Sequence, residues 1–149
     1  MTLDERYEQL RSELSVNPYE EVEYPPIAVS YGTYKSKDDT YPIPIGTYGN
    51  FSFVQAPPKS KKTFFISMIA GAYLSGKTDC TGAIKGHRDN LRLVHFDTEQ
   101  SIFHAQKVFR RVLDISKYDG LDYDPYAMRT LPANERVNFI DWYLDKYQD

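Results

Sequence analysis

The chain has 149 residues, 41% of them apolar, 26% charged and 15% aromatic, with a formal net charge of -3. That balance describes an ordinary globular protein with material for a core. It excludes a disordered tail and a protein that coats nucleic acid through bulk positive charge, though a local basic patch stays open. The single Cys80 excludes an internal disulfide and a cysteine-based zinc cluster, which suits a reducing cytoplasm. Asp4, Glu5 and Glu8 interrupt the start before any signal-like apolar run. The longest apolar stretch, around Phe64 to Leu74, is too short to cross a bilayer, so no membrane is expected.

In chain order, residues 2 to 14 read as a short amphipathic helix. Thr2 is its N-cap, Glu5 stands at capping-box spacing, and Leu3, Tyr7, Leu10 and Leu14 share one face. Such a face predicts a docking helix or a lid on the neighbouring core. From Asn17 to Gly49 the text turns to Pro, Tyr, Gly and acids. It holds an edge strand at 27–31, a polar turn at 35–40 and an extended run at 41–45, where each Pro disfavours helix for the residue before it. Residues 1–45 are thus expected to be an N-terminal helix and an extended arm packing across the sheet. Packing is the favoured use of its tyrosines over a stacking role toward a peptide or bases.

After a turn at 46–50, Phe51 to Gln55 reads as the central strand, and Lys62 to Ser75 as a helix apolar on nearly every face. Gly76 is its natural C-cap. A polar loop at 77–90 follows, with a small excursion at Ala83-Ile84, then a buried-type strand at 91–96 that ends in Asp97-Thr98-Glu99-Gln100. A helix over about 100–113 buries Ile102, Ala105, Phe109, Val112 and Leu113. A polar connection at 114–124 leads to a short third strand at 126–129. Thr130 and Pro132 open a last helix with Val137, Ile140, Trp142, Tyr143 and Leu144 on its apolar face. The alternation of strands and helices predicts an α/β fold with a partial, largely parallel sheet.

The stretch Ala56-Pro57-Pro58-Lys59-Ser60-Lys61-Lys62-Thr63 joins the central strand to the apolar helix. A phosphate-binding loop is built in this order: G-x-x-x-x-G-K-[ST] sets a lysine on the phosphates and a hydroxyl on Mg²⁺ at a helix N-terminus. Lys62 and Thr63 match it, whereas Ala56 and Lys61 replace both glycines. Pro57 and Pro58 offer no N–H, leaving Ser60, Lys61, Lys62 and Thr63 as backbone donors. Lys61 fits only if its backbone avoids the φ/ψ region that glycine alone occupies.

Taken together, FSFVQAPPKSKKTFFISMIAGAYLSG and LRLVHFDTEQSIFHAQKVFRRV resemble the RecA/RepA-like P-loop ATPases of bacterial mobile elements and phages, an AAA-type, replicative-helicase-like group. The resemblance covers roughly residues 46–149 and implies an incomplete P-loop NTPase core there. It implies ATP and Mg²⁺ as ligands, with Lys62 on the phosphates, Thr63 as metal ligand, and Lys59, Ser60 and Lys61 lining the loop. It further implies Glu99 as the catalytic base that polarises water, and Asp97 as an outer-shell partner of Mg²⁺ or that water. DNA, and either a homo-oligomer or a replication-protein partner, are implied by the family alone. In such proteins a further strand carries the Asp that holds the Mg²⁺-bound water. The chain is therefore expected to be truncated before it, or to be completed by another chain.

Blander readings stand beside these. The 56–63 stretch as an ordinary strand-to-helix turn and Glu99 as an acid stabilised by a helix N-terminus remain open. His87, His95 and His104 fit no metal-ligand spacing, and His95 reads as a packed or hydrogen-bonded residue. Arg110 and Arg111 at a neighbouring subunit's nucleotide are weighed against a solvated helix face, which is favoured. Residues 119–124 lack EF-hand spacing and read as a turn. Two functions follow: an ATP-binding RecA-like module of a replication or recombination protein, or a degenerate, non-catalytic P-loop fold used for protein interaction.

Overall fold

The computed structural model describes residues 1–76 and 80–147. The start of the expected 77–90 loop lies outside the described residues, as do positions 148 and 149. The elements are α1 (Leu3–Leu14), β1 (Ile27–Ser36), β2 (Asp39–Thr47), α2 (Lys62–Ser75), β3 (Ile84–Gly86), β4 (Leu93–Asp97), α3 (Ile102–Ser116), β5 (Tyr123–Ala127) and α4 (Ala133–Lys146).

The protein is mixed α/β with two small sheets. One is antiparallel in the order β2-β1-β3, and the other is the parallel pair β4-β5 joined through α3. Among the described residues parallel pairing is thus confined to one pair, where a largely parallel sheet is expected from the sequence. The difference lies in the arm: β1 runs on to Ser36, turns at Lys37-Asp38 and returns as β2. Its other edge pairs with β3, so Val29 faces Gly86 and Tyr31 faces Ile84. Pro42 and Pro44 are tolerated because β2 is an edge strand, where a missing N–H breaks no inner ladder.

Helix α2 is the centre of the packing. Its all-round apolar sequence buries Ser67, Ala70, Gly71, Ala72 and Leu74. One side meets Val29 and Ile84 of the antiparallel sheet, and the other meets Val112 of α3 with Leu93 and Tyr123 of the parallel pair. Glycine makes both approaches close. A β-carbon on Gly86 would collide with the backbone of Ala72, and one on Gly71 with Ile115 of α3. A polar seam closes the first contact: the buried Ser30 hydroxyl lies 2.8 Å from His87 Nε2, and the Tyr48 hydroxyl donates to the His87 carbonyl at 3.2 Å. Gly76 caps α2 in the left-handed conformation at φ 57°, as its position predicts.

The parallel pair is held by charge and by rings. Arg92 grips Asp124 with two bonds, Nε at 3.0 Å and Nη2 at 2.9 Å, and the Tyr143 hydroxyl donates to the same carboxylate from α4. Phe96 and Tyr126 stack at 5.6 Å on the sheet face, and Tyr143 meets both edge-on. A neighbouring bridge joins Arg88 to Asp122 at 2.9 Å, and the Tyr118 hydroxyl also donates to Asp122.

Two further expectations are corrected. Phe51 to Gln55 forms no strand; a strand's N–H and C=O groups need a neighbour, and every strand of the fold pairs elsewhere. Phe51 and Phe53 stay more than four-fifths exposed and pack mainly on each other, rings 5.5 Å apart. Helix α1 forms with its full capping box, Thr2 and Glu5 bonding reciprocally. It does not dock: it buries no residue, and Leu3 and Leu14 are about seven-tenths exposed.

Gly86→Ala is expected to destabilise the fold by about 3 kcal/mol in urea unfolding, because backbone rather than a flexible side chain blocks the new methyl. Gly46→Ala, which meets nothing within 4 Å, is the control and should cost far less. A second prediction concerns acid. Arg92 holds the Asp124 carboxyl below the ordinary carboxylate range, and Tyr118 and then Arg88 do the same for Asp122. A depressed folded-state value adds stability above the ordinary value, and that stability disappears as pH falls through the folded one. The urea midpoint should therefore drop as pH is lowered below about 4. Asp124→Asn should be less stable at neutral pH and should show a flatter acid dependence.

Candidate functional site

The loop before α2, the first turn of that helix, and the turn after β4 meet at one place. Its position follows the rule for open α/β sheets, in which ligands lie outside the carboxyl ends of parallel strands. Lys62 and Thr63 come from α2; Asp97, Thr98 and Glu99 come from the end of β4. Together with Val54 and Ile66 they line a cavity of about 260 Å³, and His95, Phe96 and Gln100 complete its wall. Four sequence-predicted residues, Lys62, Thr63, Asp97 and Glu99, are thereby brought together. Lys59 and Ser60 lie exposed on the loop outside this lining, and Lys61 lines an adjoining cavity.

The loop backbone is the informative part. φ is 64° at Lys59 and 63° at Lys61, but not positive at Ser60 between them. Alternation of hand between successive residues curls a chain into a nest, whose N–H groups converge on one point and bind anions. Lys61, at φ 63° and ψ 25°, is the N-cap of α2. It occupies the left-handed region, which a lysine can reach, rather than the one reserved for glycine. The Ser60 N–H, counted as a free donor from sequence, instead closes a turn on the Pro57 carbonyl at 3.3 Å. No side chain caps α2, so the N–H groups of Lys62 and Thr63 keep no intrahelical acceptor. Among the described residues, no acid lies within ion-pair distance of Lys59, Lys61 or Lys62. A helix N-terminus without a side-chain cap and three lysines with no acid partner among the described residues suit an oligophosphate.

Across the cavity, the buried Asp97 shapes the turn. Its Oδ1 accepts the N–H of Glu99 at 3.0 Å and of Gln100 at 2.8 Å, which leaves Glu99 exposed at the rim. The visible work of Asp97 is therefore positional, and one of its oxygens is committed to it. Among the described residues no group of three His, Cys, Asp or Glu could hold a metal by itself. The donors present, the Thr63 hydroxyl with the Glu99 and Asp97 carboxylates, fit a Mg²⁺ that takes most of its oxygens from phosphates and water.

His95 is half-buried against Phe109, rings 5.0 Å apart, with Nδ1 3.1 Å from the Tyr123 hydroxyl; burial lowers its pKa. It is the packed residue its strand position predicts. Arg110 is exposed, whereas Arg111 folds back over the Phe64 ring at 5.2 Å and toward the Ser67 hydroxyl at 3.5 Å. Asp122 and Asp124 of the 119–124 turn are engaged by arginines.

Sequence reasoning missed the adjoining cavity of about 530 Å³ between α2 and α3. Lys61, Thr63, Phe64, Gln100, His104 and Arg111 are among its lining residues. The cations on the exposed face of α3 were its only sequence signal.

Lys61→Gly should stabilise the protein by about 1 kcal/mol in urea unfolding, because the left-handed conformation strains any residue with a β-carbon. No family model, curated protein or solved structure matches the chain.

Proposed function

We propose that the chain is an ATP-binding module of RecA-like type, holding Mg²⁺-ATP between the 57–63 loop and the Glu99 turn. The observation that carries this reading is the alternating hand at Lys59 and Lys61. It shapes a turn that runs straight into a helix N-terminus without a side-chain cap, opposite an exposed carboxylate. In this reading the Lys62 ammonium offsets phosphate charge, and the Thr63 hydroxyl supplies an oxygen to the metal. Glu99 orients a water and takes its proton as that oxygen bonds to the terminal phosphorus and the bond to the β-phosphate breaks, releasing ADP. Bound Mg²⁺ supplies charge neutralisation on the phosphate oxygens. The resemblance of 46–149 to mobile-element and phage ATPases makes DNA replication or recombination the proposed setting, with assembly into a homo-oligomer or with a replication protein.

A second reading rests on a different observation. Residues 51–55 form no strand and leave Phe51 and Phe53 exposed, which favours a non-catalytic fold that presents this segment to another protein.

Calorimetry of Mg²⁺-ATP binding, on the chain and on Lys62→Ala, separates the two. Micromolar binding that falls at least about tenfold in the variant is expected, since a charge-assisted phosphate contact contributes more than about 1.4 kcal/mol. Absence of binding by the folded chain would sink the nucleotide reading and leave the interaction module. Glu99→Gln should bind Mg²⁺-ATP as the parent does and abolish whatever hydrolysis the parent shows.

A further inference from the structure

The nucleotide reading leaves unused a cavity of about 360 Å³ on the β1-β2 hairpin, lined by Tyr24, Ile27, Tyr34, Tyr41, Pro42 and Pro44. Tyr34 and Tyr41 are direct cross-strand partners, and their rings stack at 5.6 Å. Tyr24 joins them from the arm before β1. Tyr24 is 67% exposed, Tyr34 51% and Tyr41 43%, so this aromatic wall is open to solvent. Cations elsewhere in the protein do settle on rings: Arg88 on Tyr118, Arg111 on Phe64, Lys107 on Phe103 and Lys146 on Trp142. Among the described residues, none stands over Tyr24, Tyr34 or Tyr41.

Acidic groups accompany the rings. The Tyr41 hydroxyl donates to Asp39 Oδ2 at 3.2 Å, which sets a carboxylate at the rim of the cavity. Asp39, two residues before Tyr41, shares its face of the hairpin, whereas Lys35 follows Tyr34 and alternates to the other face. Lys37 lies in the turn between the strands. Glu23 adjoins Tyr24 in the arm. Among the described residues, no base lies within ion-pair distance of Asp39 or Glu23.

We propose that this cavity binds a trimethylammonium group, carried by a small quaternary amine or by a trimethylated lysine side chain. Ring faces are the negative part of the aromatic quadrupole, and they attract a cation whose methyl groups also make dispersion contact. A plain ammonium is compact and strongly hydrated, so it gains less from such a wall. A proline-rich strand would also lie on tyrosines, but it brings no charge to the carboxylates. The inference does not rest on the nucleotide reading, because none of its residues belongs to the 57–63 loop or the Glu99 turn.

NMR titration of the whole chain tests it with two ligand pairs. One is choline beside its uncharged carbon isostere, dimethylbutanol; the other is a short peptide with one trimethyllysine beside the same peptide unmodified. Choline or the trimethyllysine peptide should saturate with a Kd of about 1 mM, and the tighter of the two identifies the source of the group. Its uncharged or unmethylated counterpart should bind at least about fivefold more weakly. Tyr24→Leu, at an exposed position outside every strand, should keep the parent's circular dichroism and melting. It should weaken the tighter ligand by about threefold, as should Asp39→Asn, and Lys62→Ala should not change it. The proposal is overturned if neither choline nor the trimethyllysine peptide binds, or if Tyr24→Leu and Asp39→Asn both bind like the parent. It is also overturned if dimethylbutanol matches choline, which would make the cavity a plain apolar site. An unmodified peptide that matches the methylated one would leave only general charge attraction and overturn it as well.

Discussion

Close approach at a glycine on either side of α2 is the constraint on which the rest of the structure depends. Gly86 lets β3 lie on the carbonyl of Ala72, and Gly71 lets α3 lie against the opposite side of the same helix. Cores are close-packed, so a helix clamped in this way has little freedom to shift or rotate. Fixing α2 fixes its N-terminus, and with it the direction in which the Lys62 and Thr63 N–H groups point. The contact of α2 with Leu93 and Tyr123 then sets the end of β4 opposite that terminus. The 260 Å³ cavity is a consequence of this packing rather than of the loop alone.

A two-stranded parallel sheet is a weak unit, with slanted hydrogen bonds and half of its edge groups unpaired. Here it is reinforced from both ends of the chemistry. Arg92 and Tyr143 meet on Asp124, so the entry to β4, β5 and α4 share one carboxylate. Asp97 then converts the end of β4 into a defined turn by capturing two N–H groups. The second device decides where Glu99 stands. An exposed acid held by a buried one is better placed for work on a ligand than an acid on a free loop, because its backbone has lost its freedom already.

What could be read in the sequence was what is settled locally. The span of α2 follows from an apolar run and a glycine in the capping position, and the α1 capping box lies within four residues. The pairing of Lys62-Thr63 with Asp97-Glu99 was legible because each half is a contiguous motif, one opening α2 and the other ending β4. The strand at 51–55 failed for the opposite reason: an alternating apolar pattern signals a strand only where another strand adopts it, and none does. The docking of α1 failed likewise, since a helix can carry an apolar face without a surface to receive it. The hand of Lys59 and Lys61 was hidden too, because a lysine, unlike a glycine, does not announce a positive φ. The larger cavity joins residues 61–64 to 100–111 and exists only once two helices have packed.

Lysine in place of glycine at position 61 carries a further physical consequence. A glycine there would adopt the left-handed conformation without strain, whereas lysine costs about 1 kcal/mol in backbone energy and sets a cation at the helix N-terminus. That location is already positive through the macrodipole, so the extra charge is unfavourable until an anion arrives. The loop is thus built to be relieved by a ligand rather than to be comfortable without one. The two cavities share Thr63 and Gln100 as their common wall. Lys61 lines only the larger of the two, so among the loop lysines Lys62 alone is left to face the smaller one.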